Sequence, residues 1–129
     1  MEQPATTPDQ DVPSPLQEVF EFSKRFAELL ILGEYAEARE LLTEEEKVLW
    51  RPTALAHNWV RMVENPPTAR MIPETIAVDA MEDWLEKRPG DMGWLYVPIV
   101  SEHASEAISG VAVSTPQGPR LRALLFGRP

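Results

Sequence analysis

The sequence predicts an α+β fold: three N-terminal helices packed on a curved antiparallel sheet of about four strands. Three observations predict it. Before residue 65 the apolar residues recur at helical spacing. After it, short apolar runs alternate with turn residues as far as Leu124-Leu125-Phe126. The connections between the later runs are short, which favours antiparallel neighbours over the long crossovers that parallel strands need.

The elements follow in order. Residues 1–13 read as a tail and residues 14–129 as one domain. The tail holds Pro4, Pro8 and Pro13 with little to bury, so ordering it would cost entropy without return. Ser14 is a good N-cap, Pro15 suits the first helical position, and Gln17 completes a capping box. Leu16, Val19, Phe20, Phe26, Leu29 and Leu30 supply the apolar stripe of the first helix, and Gly33 closes it. A second, short helix over about 34–42 puts Tyr35, Ala38, Leu41 and Leu42 on one face. Thr43 and Glu46 form a second capping box, and Glu44, Glu45 and Glu46 suit the N-terminal dipole of a third helix. Pro52 predicts a break or kink near Trp50 and Arg51. Leu55, Trp59 and Met62 continue the apolar side until Asn65-Pro66-Pro67 ends the helical half.

Strands are expected over about 74–78, 94–100, 105–114 and 120–126. The second, with aromatic and β-branched residues, is the strongest. Between the first two strands, Met81, Trp84, Leu85 and Arg88 fit a short amphipathic helix closed by Pro89-Gly90. No internal repeat or low-complexity segment interrupts this plan.

Composition bounds the function. The chain of 129 residues is long enough for one core, and 43% hydrophobic residues is ordinary globular usage. A net charge of −9 argues against nucleic acid, which needs a basic face to neutralise phosphates, and against docking on an anionic membrane. It is compatible with small ligands, with a basic protein partner, or with solubility alone. With no cysteine, disulfides, thiolate catalysis and cysteine-bound metals are excluded. No apolar run approaches a membrane span, and Met1-Glu2-Gln3-Pro4 lacks the basic and apolar regions of a signal peptide, so a cytoplasmic location is expected.

The order of elements, together with Leu32-Gly33-Glu34-Tyr35-Ala36-Glu37-Ala38-Arg39-Glu40-Leu41-Leu42, Ser105-Glu106-Ala107-Ile108 and Phe126-Gly127-Arg128-Pro129, resembles bacterial members of the nuclear-transport-factor-2-like superfamily. That resemblance implies a cone-shaped, cystatin-like fold over about residues 14–129. It implies an apolar cavity at the wide end, and a homodimer through the open sheet face. The family uses that cavity for isomerases, dehydratases, hydrolases, ligand carriers and subunit interfaces, so fold does not fix function.

Isomerase-like chemistry in such a pocket needs a carboxylate base and an oxyanion donor. The chain offers Asp79, Asp83, Tyr35, Tyr96 and Glu106, with Asp79 and Tyr96 the pair to test as base and donor. Against this, Asp79 also suits the cap of a short helix beginning near Ala80, and Tyr96 suits a core or rim position. His57 lies roughly opposite the Leu55, Trp59 and Met62 stripe, because two helical residues turn about 200°. It therefore faces solvent, and His103 falls in a hairpin connection. Neither suits a buried base, and two isolated histidines make no metal site; no cofactor motif is present. The four tryptophans Trp50, Trp59, Trp84 and Trp94, with Tyr96, are the candidate pocket or partner-binding residues; Trp59 and Trp94 also suit the core, whereas Trp50 and Trp84 suit a cavity wall or a partner anchor. Arg120 and Arg122 are two apart and so are expected to share a face with Leu124 and Phe126.

Three functions remain. The first is a non-catalytic binding module for a small apolar ligand or a basic protein partner, including an immunity-like masking of a basic toxin. The second is an isomerase- or dehydratase-type enzyme. The third is a structural dimerisation domain.

Overall fold

The computed structural model describes residues 15–127. The expected tail, the Ser14 cap and Arg128 lie outside the described residues. Among the described residues the helical half holds four helices: α1 (Pro15–Ile31), α2 (Tyr35–Glu40), α3 (Glu44–Leu49) and α4 (Pro52–Val63). Five antiparallel strands follow: β1 (Arg70–Met71), β2 (Ala77–Asp79), β3 (Asp91–Val100), β4 (Ser105–Thr115) and β5 (Gly118–Phe126). Their order is β1-β3-β4-β5, with β2 also paired to β3.

α1 ends where Gly33 adopts φ +77°. The Gly33 N–H donates to the Leu30 carbonyl and the Glu34 N–H to Leu29, so the last turn is closed from within. The stripe expected through Phe20 runs instead through Phe22, which is buried, while Phe20 is half-buried with Lys24 over its ring. α2 is shorter than expected.

The expected third helix is two helices. Pro52 cannot donate to the preceding turn, so α3 stops at Leu49 and α4 starts with Pro52 at its first position. The Thr43 hydroxyl accepts the Glu46 N–H, as expected of a cap. The Glu46 carboxylate does not return the bond. It turns inward and accepts the Trp50 indole N–H at 3.1 Å and the Leu124 N–H of β5 at 2.9 Å. Arg39 of α2 donates to the Trp50 and Lys47 carbonyls, satisfying the end of α3.

The core lies between the helices and one face of the sheet. Val19, Phe26, Leu30, Leu42, Leu55 and Trp59 meet Leu95, Val97, Ile99, Ile108, Leu121 and Leu124 there. Residues 93, 95, 97 and 99 of β3 point into this core by strict alternation. Gly93 allows a close approach: a Cβ there would lie 2.7 Å from the Asp79 carbonyl oxygen and 3.4 Å from Val19. The free edge of β5 is covered by the α2–α3 connection, where the Thr43 N–H reaches the Leu121 carbonyl and the Leu121 N–H reaches Leu41.

Two expectations fail for physical reasons. Residues 80–90 form successive turns, not a helix. Met81 is buried but has φ +64°, which no helix accommodates, and Leu85 is fully exposed, so no continuous apolar face supports so short a helix. The other failure is in β5. An extra residue there, Ala123 at φ +56°, makes a bulge between the Ser109↔Leu125 and Val111↔Arg122 pairs. It turns Leu124 and Phe126 to the core side, while Arg120, Arg122 and Leu125 stay on the outer face. Among the described residues no helix is long and apolar enough to cross a membrane.

Candidate functional site

The outer sheet face, turned away from the helices, gathers most of the residues singled out above. Alternation along β3 sends Trp94, Tyr96, Pro98 and Val100 to it. Trp94 is thus not a core residue; it is half-buried and stacks on Tyr96, with ring centroids 5.6 Å apart. Strand register brings Asp79 opposite Trp94 and Ala77 opposite Tyr96. The next strand places small residues beside the large ones. Val111 lies between Trp94 and Arg122, and Ser109 between Tyr96 and Leu125. Ala107, Ser109 and Val111 are buried on this face, which no helix among the described residues covers. Their larger cross-strand neighbours shelter them, and Ala107 and Val111 stand apart from the core between the layers.

The β2–β3 loop borders this face. Asp79 is exposed, and its carboxylate accepts the Met81 N–H at 2.7 Å, so it caps a turn where a helix was expected. Asp79, Glu82 and Asp83 line a groove of about 340 Å³ with Trp84. Trp84 is 43% exposed. The far end of the loop is fastened by charge. Arg122 donates to both carboxylate oxygens of Asp91, at 3.0 and 2.7 Å, and Asp91 also accepts the Arg88 N–H at 2.8 Å. The Asp91 side chain is wholly buried. That burial pushes its carboxyl pKa upward, but the hydrogen bond from Arg122, the Arg88 N–H and the two positive charges outweigh it and hold the carboxyl below its ordinary value. A second ion pair, Arg88 with Glu45 at 3.2 Å, ties the loop to α3.

The structure therefore brings Asp79, Trp84, Trp94 and Tyr96 to one region and separates Trp50 and Trp59 from it. Asp79 and Tyr96 share the open face, not an enclosed pocket. Trp59 is buried among Phe26, Leu30 and Leu55 in the core. Trp50 is spoken for by the Glu46 carboxylate and by edge contact with Phe126, 5.2 Å between centroids. His57 is exposed on α4, as expected, and exposed His103 pairs with Glu102. Among the described residues no three His, Asp or Glu side chains could hold a metal ion. Sequence reasoning missed Asp91 and the sheltered row of β4. The small residues at 107 and 109, two apart on one strand face, were the available signal.

Comparison of the chain with protein families, with curated proteins and with solved structures finds no match.

Proposed function

We propose that the chain is a non-catalytic binding module that docks a basic protein partner on its outer sheet face. The observation that carries this reading is the stacked Trp94–Tyr96 pair on a sheet face that no described helix covers, next to an exposed tryptophan and three carboxylates. Tryptophan and tyrosine supply large contact areas that need little ordering, and they dominate the energetics of interfaces. Asp79, Glu82 and Asp83 give the neighbouring surface the sign that selects lysine- or arginine-bearing partners. The net charge of −9 extends that preference to long range. The same carboxylates speak against self-association here, because a two-fold contact through this patch would bring like charges together.

Two features support a nuclear-transport-factor-2-like domain as the frame for this reading: the helices precede the sheet, and the strands are antiparallel. Trp59, Phe26 and Leu30 are packed together in the buried core, which favours a partner on the surface over a small apolar ligand inside. An immunity-like masking of a basic toxin is the specific form of this function.

A photo-crosslinking residue placed at position 94 or, as a control, at position 57 tests the reading in the native cell. Position 94 is expected to capture a basic protein. The purified pair should weaken steeply with salt, and replacing the Asp79, Glu82 and Asp83 carboxylates by amides should weaken it at low salt and flatten its salt dependence. Capture of a second copy of this chain, or binding indifferent to salt, overturns it.

A further inference from the structure

At the opposite end of the molecule, two residues break local rules, and both line one cleft. The first is Glu64. It follows α4 with φ 65° and ψ −37°, and the Asn65 N–H donates to the Val63 carbonyl across it at 2.7 Å. This is a three-residue turn of the strained, positive-φ hand, in which a side chain is disfavoured. The neighbouring hairpin holds it in place. The Ser101 hydroxyl donates to the same Val63 carbonyl at 2.6 Å, and Asn65 donates to Glu102 at 3.0 Å. The second is Glu106. It pairs in register with Ile99, so it occupies a core-side position of β4 where the pattern calls for an apolar residue.

The cleft encloses about 300 Å³, the lower end of the range for small-molecule sites. Asn58, Arg61, Met62, Glu64, Glu106 and Phe126 line it. It holds one cation and two carboxylates. Among the described residues, Arg61, Glu64 and Glu106 form no ion pair. Met62 and Phe126 add an apolar wall, and both pack against the core. Departures from local consistency concentrate at functional sites, and two of them converge here on a mixed-charge cavity.

We propose that this cleft binds a small zwitterion, an α-amino acid with an apolar side chain. Its ammonium group is held by Glu64 and Glu106, its carboxylate by Arg61, and its side chain by Met62 and Phe126. The site is distinct from the outer sheet face, and neither proposal depends on the other.

The test is a titration of the whole chain, followed by amide NMR shifts, with L-phenylalanine, with phenethylamine, which lacks the carboxylate, and with 3-phenylpropionate, which lacks the ammonium. L-Phenylalanine is expected to give saturable shifts at residues 58–64, 106 and 126, and each half-charged analogue to bind at least about tenfold more weakly. In Arg61→Gln the advantage of L-phenylalanine over phenethylamine should vanish. Glu106→Gln should weaken both ammonium compounds. Glu64→Gly should weaken binding while raising the unfolding midpoint, because glycine relieves the strained turn. No saturable shift with L-phenylalanine, equal binding of the three compounds, or unchanged affinity in Glu64→Gly overturns the proposal.

Discussion

The two faces of the sheet come from the same alternating strands but are held by different physics. The core face is secured mainly by apolar burial: Leu95, Val97 and Ile99 of β3 meet helices whose stripes match them. No helix among the described residues covers the outer face. It relies on large residues sheltering small ones and on the Asp91–Arg122 pair that fastens its loop. Burial of the first kind leaves little freedom for function. The second kind leaves aromatic surface at the edge of solvent, where a partner can use it.

The sharpest way to break this contrast is to truncate one tryptophan from each face. Trp59→Ala removes a fully buried side chain and should cost about 3–5 kcal/mol of stability by denaturant unfolding. Trp94→Ala should cost about 1–2 kcal/mol, since its ring is half-buried and only part of its area returns to water. Equal losses would mean that the outer face is as much a core as the inner one.

Acid probes the difference more gently. The Asp91 carboxyl is held below its ordinary value of 3.8 in the folded chain. The unfolded chain therefore binds that proton more readily, so the pair's contribution is complete above this value and fades as pH falls below it through the folded value. Asp91→Asn should lose about 1.5–3 kcal/mol at neutral pH, the scale of a charged hydrogen bond. Its deficit relative to the parent chain should shrink in acid. A deficit independent of pH, measured by unfolding midpoints across the acid range, would assign the loss to packing and not to charge.

Much of the core face was legible because it rests on local rules. The 3.6-residue stripes, the Thr43 cap, the stop at Gly33 and the break at Pro52 are all set by neighbours in sequence. What was illegible depends on distant partners. Glu46 reads as the second half of a capping box, yet its carboxylate is claimed by Leu124, 78 residues away. Met81, Trp84, Leu85 and Arg88 have helical spacing, but only Met81 is buried, at a positive φ, while Leu85 stays exposed, so the segment forms turns. Arg122 was separated from Leu124 and Phe126 by one bulged residue, Ala123, which the two-residue alternation could not foresee. Of the candidate site, Asp79, Trp84, Trp94 and Tyr96 were recognised as residues of interest. Their common face became apparent only from strand register.

Trp84 offers the smallest stability effect and the clearest separation of the two faces. It stands on the turn segment, 43% exposed, beside Asp79, Glu82 and Asp83. Truncating a side chain so placed removes less buried area than at Trp59 or Trp94, so Trp84→Ala should cost no more than about 1 kcal/mol. If the outer face is the docking surface, the same change should weaken the partner by about 30-fold or more, the loss typical of an aromatic anchor. Trp59→Ala would show the reverse order: a large cost in folding, and binding lost only to the extent that the chain unfolds. Titrating the captured partner against both variants at a temperature where both remain folded compares these outcomes directly. A Trp84→Ala chain that binds as the parent does would move the interface off the loop and leave the Trp94–Tyr96 stack as its centre.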